Sequence, residues 1–130
     1  MTDRTDELVA KYPGLLSNVY CGMSMPPGWF DLVDTLCAWI DARDEYRGKV
    51  AVAQIKEKFG GLRFYIDTQD LSEPDEIVLY TAVGAAKRLS FRICQKCGAA
   101  GSRCKPDAAW LVTLRALCDA VEGKEPTPCP

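Results

Sequence analysis

Apolar residues recur at helical spacing in two long stretches of the chain and alternate with polar ones in a third. Trp29, Val33, Leu36 and Ile40 follow i, i+4, i+7, i+11, with Phe30, Leu32 and Cys37 widening the stripe. Asp31, Asp34, Asp41 and Glu45 mark the opposite side. This pattern predicts an amphipathic helix over residues 28–45, opened by Pro26-Pro27-Gly28, with a solvated acidic face. Leu71-Ser72-Glu73-Pro74-Asp75-Glu76 is a helix start: Ser72 can cap, Pro74 suits the first turn, and three acids sit at the positive end of the dipole. The helix should run to about Ile93, with Ile77, Tyr80, Val83 or Gly84, and Lys87 as its periodic positions. A short helix is expected from Thr5 to Lys11, stopped at Pro13-Gly14, and then a loop from Leu15 to Gly28.

Residues 49–68 read as a β-hairpin. Lys49 to Phe59 meets Leu62 to Thr68 across Gly60-Gly61, a two-residue loop suited to a primed turn. In that register Phe59 faces Leu62, Glu57 faces Phe64 and Ile55 faces Ile66, an apolar row broken only by Glu57. The other face sets Lys58 opposite Arg63 and Lys56 opposite Tyr65. Directly opposed like charges destabilise a strand pair. That face is therefore either a screened edge or a cationic, aromatic plate for an acidic partner or a nucleic-acid backbone. After a loop, Asp107 caps a segment with Trp110, Leu111, Leu114, Leu117, Cys118 and Val121 at helical spacing. Alternation of Trp110, Val112, Leu114, Ala116 and Cys118 fits a strand as the other reading. The tail 123–130, with three prolines, should be loose. Together these elements predict one α+β domain over residues 1–130. A small antiparallel sheet centred on the hairpin is packed by two or three helices, with a C-terminal module over residues 94–118.

That module rests on cysteines. Cys94-Gln95-Lys96-Cys97-Gly98 has the spacing of a zinc knuckle, in which two thiolates face one tetrahedral centre and the glycine lets the backbone turn beneath it. Cys104 and Cys118 follow, so a structural Zn2+ site of Cys94, Cys97, Cys104 and Cys118 is the leading reading and buried thiols are the plain one. Cys21 and Cys37 are a conceivable second pair, but Cys37 lies on an apolar helix face. The chain contains no histidine. That excludes Ser-His-Asp and Cys-His catalysis, the HExxH metalloprotease and any histidine metal ligand.

Net charge is −2 but unevenly spread: residues 1–45 carry −5, whereas residues 87–105 carry six bases and no acid. The basic residues Lys87, Arg88, Arg92 and Lys96, with Arg103 and Lys105, surround the proposed metal. They can offset the charge of a zinc tetrathiolate or form a phosphate-facing surface with Lys56, Lys58, Arg63 and Tyr65. The N-terminus is acidic and lacks an apolar signal core, no apolar run is long enough to span a bilayer, and seven cysteines without a secretory signal suit a reducing cytoplasm. Gln54-Ile55-Lys56 on a strand, with Asp41 or Asp44 nearby in sequence, is a minimal match to the metal-dependent nuclease element.

Three separated segments carry a resemblance: Cys21-Gly22 with Gly28-Trp29-Phe30-Asp31-Leu32-Val33-Asp34-Thr35-Leu36-Cys37, then Lys56-Glu57-Lys58-Phe59-Gly60-Gly61-Leu62-Arg63-Phe64-Tyr65, then Arg92-Ile93-Cys94-x-x-Cys97-Gly98 followed by Trp110-x-x-Thr113-Leu114. Over most of residues 12–118 the chain resembles a family of small bacteriophage and prophage proteins. The resemblance implies a phage origin and a location in the bacterial cytoplasm, but no activity. In the family the tryptophan motif runs on into Cys-x-x-His, as in a treble-clef-like zinc site. Here those positions are Arg115 and Cys118, so one ligand is missing and histidine has become cysteine. Cys104 would restore the fourth thiolate, Cys129 is the fallback, and a metal-free site is the alternative. The expectation is a non-enzymatic, zinc-stabilised binding protein that engages a host protein or ribonucleoprotein complex. Inhibition of a bacterial immune (CRISPR) effector is one concrete form. A nucleic-acid-binding accessory protein is the alternative, and a nuclease comes third.

Overall fold

A computed structural model describes residues 4–17, 19, 22–104 and 112–114, with 102–104 and 112–114 described by their backbone alone. The element order is α1 (Arg4–Lys11), α2 (Pro13–Leu16), α3 (Phe30–Asp41), β1 (Val50–Lys58), β2 (Gly61–Thr68), α4 (Glu73–Ser90), β3 (Ser102–Cys104) and β4 (Val112–Leu114). The fold is α+β: an antiparallel β1–β2 hairpin with helices packed against it.

The helix expected over 28–45 is divided. Its centre is α3, and tight 3-10 turns at Pro27–Trp29 and Asp44–Tyr46 flank it. The predicted stripe is the buried one: Trp29, Val33, Leu36, Cys37 and Ile40 all lie in the core. The acidic side is not wholly solvated. Asp34 accepts from the Tyr12 hydroxyl at 2.6 Å and from Lys11 Nζ at 3.0 Å, which ties the end of α1 to α3. The Tyr12 hydrogen bond first, and Lys11 after it, hold the Asp34 carboxyl below its ordinary pKa. The loop expected from Leu15 is also shorter than the pattern implied. Pro13 opens α2, whose Leu15 and Leu16 are buried in the same core.

The hairpin forms, but its turn is Phe59-Gly60, with Lys58 paired to Gly61. Both central residues have positive φ, 55° and 81°, as a type I′ turn requires. The expected pairs are therefore each displaced. Ile55 faces Phe64, Glu57 faces Leu62, Lys56 faces Arg63 and Gln54 faces Tyr65. Packing across the chain explains the choice. The Phe91 ring lies where a side chain on Gly61 would stand, 2.6 Å from the site of a Cβ, so Gly61 is needed in the strand and not in the turn. The shift keeps Ile55, Leu62 and Phe64 on the buried face and removes only Phe59 from it. A bulge at Ala53 then restores Val52 and Val50 to that face, opposite Ile66 and Thr68. On the free side of β1, Met23 bridges Ile55 in parallel: Ser24 N donates to Ile55 O (2.8 Å) and Ile55 N to Gly22 O (3.1 Å).

Helix α4 begins as expected, with Asp75 N donating to Ser72 Oγ. It ends at Ser90, however, and buries a different face from the one the spacing predicted. Leu79, Ala86 and Ser90 are buried, with Ala82 and Val83 packed at the margin, whereas Ile77 and Tyr80 are exposed. The helix carries two apolar stripes, and the one built around Leu79 meets β2 and α3. At the C-terminal side, Val112–Leu114 is a strand paired antiparallel with Ser102–Cys104, which corrects the helical reading there. Trp110, Leu111, Leu117, Val121 and the tail 123–130 lie outside the described residues.

Candidate binding surface and the two-cysteine turn

The chain leaves α4 and closes a tight loop at Cys94–Gly98. Gly98 N donates to Cys94 O (2.8 Å), Cys94 N to Ala99 O (2.7 Å), and Gly98 has φ +84°. This is the backbone that the Cys-x-x-Cys-Gly spacing predicts. Cys94 is fully buried and Cys97 is exposed. The loop is docked on the start of α3. Gly28 N donates to Gln95 O at 2.8 Å, and the Trp29 indole N–H donates to Ile93 O at 2.9 Å. A Cβ on Gly28 would stand 2.6 Å from the Gln95 carbonyl carbon and 2.7 Å from Gly98 N, and closer still to Cys94 O. Gly28 is thus required by close backbone approach, a role the spacing of apolar residues could not reveal.

Of the other proposed ligands, Cys104 ends β3 and is described by backbone alone, while Cys118 and the fallback Cys129 lie outside the described residues, as does Cys21. Among the described residues no three His, Cys, Asp or Glu side chains gather at one point. Cys37 is fully buried, and burial, with Asp34 and Asp41 adding to it, pushes its thiol up to about 12. It is a core residue and an unreactive thiol.

The hairpin's outer face brings together four of the residues singled out for binding. Lys56 stands directly opposite Arg63, and Lys56 Nζ lies 5.8 Å from the Tyr65 ring centroid. Lys58 Nζ lies 5.6 Å from the Phe59 ring. Tyr65 and Phe59 are close to half exposed, and Lys58 is exposed. Arg63 is not the exposed residue that the pattern implied. It is half-buried, and its Nε is covered with no hydrogen-bond partner among the described residues. Glu57, expected in the apolar row, turns its carboxylate to cap the hairpin, accepting from Gly60 N at 2.8 Å.

The second basic group lies at the same end of the molecule. Leu62 N donates to Ser90 Oγ at 2.9 Å, and Phe91 packs on Gly61, so the last turn of α4 abuts the hairpin turn. Near that contact Lys87 is half-buried and Arg88 and Arg92 are exposed, as is Lys96 in the following turn. Of the residues named for the nuclease reading, Gln54 and Lys56 share the outer face of β1, and Asp44 pairs with Arg47 at 2.8 Å. Phe59 was missed as a surface residue because it was placed in the apolar row. The signal was the Phe-Gly pair, which can itself form the turn.

Among the described residues no helix is long and apolar enough to cross a membrane. Comparison with protein-family models, with curated proteins and with solved structures gives no match.

Proposed function

We propose that this protein is a non-enzymatic binding protein whose hairpin face docks on an acidic surface of a larger assembly. One observation carries the reading: three local costs fall together on that face. Lys56 and Arg63 set like charges opposite each other, Arg63 Nε is buried with no acceptor among the described residues, and Phe59 holds a left-handed backbone that an aromatic residue adopts only with strain. Natural chains break local rules at sites that serve function. Two aromatic rings beside two ammonium groups would offer such a partner both anchor and charge.

The resemblance to phage proteins makes a bacterial host protein or ribonucleoprotein complex the assembly of choice, with an immune effector of the CRISPR type as the concrete case. The bacterial cytoplasm is where such a partner would be met. In this reading Zn2+, held by Cys94, Cys97, Cys104 and Cys118, is structural. The two-thiol turn, with Gly98 at positive φ, suits one half of a tetrathiolate site, and bound metal would brace the C-terminal module against α3.

The test uses the full chain as bait in a host lysate. A defined assembly should be retained at physiological salt and lost with Lys56→Glu/Arg63→Glu, while random duplexes bind weakly and in a salt-sensitive way. Tight sequence-specific duplex binding would promote the nucleic-acid reading. Magnesium- or manganese-dependent nicking that vanishes in Lys56→Ala would promote the nuclease. For the metal, elemental analysis should find about one zinc per chain, as a single four-thiolate site requires. Cys94→Ser and Cys97→Ser should each lower the melting temperature sharply. Metal-free protein with unchanged melting in both variants would sink the zinc assignment.

A further inference from the structure

Helix α4 exposes more apolar surface than any other described element. Ile77, 59% exposed, lies on the side away from Leu79 and Ala86, with Tyr80 (48%) on one flank of it and Val78 (51%) and Leu89 (52%) on the other. Isolated exposed apolar residues are ordinary; Ile77 and Tyr80, three residues apart, adjoin on the outward side. Small residues run down its middle. Thr81 and Gly84 are neighbours on this side, and Arg88 folds back over Gly84, its guanidinium 3.8 Å from where a Cβ would stand. The Thr81 hydroxyl is spent inside the helix, donating to Ile77 O at 2.7 Å, so no unmet donor faces outward there.

The charges are arranged in opposite senses at the two ends. Glu73 and Glu76 lie in the first turn, and Arg88, with Arg92 just past the helix, at the last. Among the described residues none of these four takes part in an ion pair. We infer that this face is the seat of a second copy of the chain, with the two α4 helices packed antiparallel about a two-fold axis that passes between Thr81 and Gly84. That axis sets Thr81 against Gly84, Ile77 against the aliphatic stem of Arg88, and Glu73 against Arg92, each contact made twice. A two-fold interface must be complementary to itself, and a helix acidic at one end and basic at the other meets that condition only when antiparallel. The same orientation also opposes the helix dipoles favourably. Beside the patch lies a cavity of about 580 Å³ lined by Leu71, Glu73, Glu76, Ile77, Tyr80 and Thr81. In this packing it receives the guanidinium of Arg88 from the second copy, between two carboxylates and a ring. A partner of one charge sign would complement only one end of the helix.

This assignment does not depend on the proposed host partner, because it is read on the purified chain alone. Light scattering coupled to gel filtration, from micromolar to millimolar protein, should give a concentration-dependent mass approaching twice the 14.3 kDa of the chain. Glu73→Arg/Glu76→Arg and Arg88→Glu/Arg92→Glu should each raise the dimer dissociation constant by roughly tenfold or more, the scale of like charges opposed across an interface. Mixing the two variants should restore a dimer, which also shows that both are folded. Ile77→Asp should give a monomer with unchanged helical circular dichroism. A wild-type chain that stays monomeric throughout overturns the inference and leaves the face to a different partner. A dimer indifferent to both reversals and to Ile77→Asp overturns it equally.

Discussion

Two tight turns, Cys94–Gly98 and Lys58–Gly61, are built alike and used in opposite ways. Each has a glycine at positive φ, carries a lysine, and lies next to an element that ends there. The first is docked: Gly28 N donates to Gln95 O within it, the Trp29 indole donates to Ile93 O just before it, and at Gly28 backbone meets backbone with no room for a side chain. The second projects, with Phe59 in a left-handed conformation and nearly half exposed at its tip. The same local geometry therefore makes a joint in one place and a display in the other. What differs is the partner. The joint is closed by backbone meeting backbone, and the display holds an aromatic residue at positive φ in the register that Phe91 selects by packing on Gly61.

If this contrast holds, substitutions at the two turns should move stability in opposite directions. The largest effect is expected at the joint. Gly28→Ala drives a Cβ into three backbone atoms, none of which can rotate away, and must part the Gly28–Gln95 and Trp29–Ile93 hydrogen bonds. A loss of about 4 kcal/mol or more is expected, at the extreme of single substitutions. Urea unfolding measures it. An unchanged midpoint would mean that the turn and α3 are not closed on each other.

The next effect separates the two faces of the hairpin itself. Phe64 is buried opposite Ile55, so Phe64→Ala should cost roughly 3–5 kcal/mol. Arg63→Glu on the outer face relieves the opposition to Lys56, and thermal unfolding should show stability unchanged or raised by a few tenths of a kcal/mol. The reverse ranking would place the inner and outer faces the wrong way round.

Much of this contrast was legible along the chain, but not all of it. The α3 stripe could be read because Trp29, Val33, Leu36 and Ile40 are all large and one face of the helix is acidic. The start of α4 could be read from Ser72 and Pro74. Its buried face could not, because the helix is apolar on two sides, and which one turns inward is decided by β2 and α3. The hairpin register was ambiguous because Phe59-Gly60-Gly61 offers two primed turns. The choice is made by Phe91, thirty residues further on, which needs the space at Gly61. The joint was invisible for the same reason. Gly28 and Gly98 each have a plain local reading, as a helix opener and a knuckle glycine, and only the fold shows that they meet. Of the proposed zinc set, Cys94 and Cys97 flank a turn closed by Gly98 at positive φ, and the Cys104 side chain and Cys118 lie outside what is described.

The smallest effect is the most discriminating, because its sign is opposite to that of nearly every other substitution. Holding a residue with a Cβ in the left-handed region costs about 1–2 kcal/mol, and asparagine tolerates that region far better than phenylalanine. Phe59→Asn converts the turn to Asn-Gly, the favoured type I′ pair, and removes a ring that is nearly half in solvent. Stability should therefore rise by roughly 1 kcal/mol, while capture of the host assembly should weaken together with the loss of the aromatic anchor. A residue kept for folding cannot improve folding when it is removed, so gain of stability with loss of binding is the signature of a displayed side chain. Should the urea midpoint fall instead, the ring's contacts within the chain would outweigh its strain, and the hairpin tip would be a second joint.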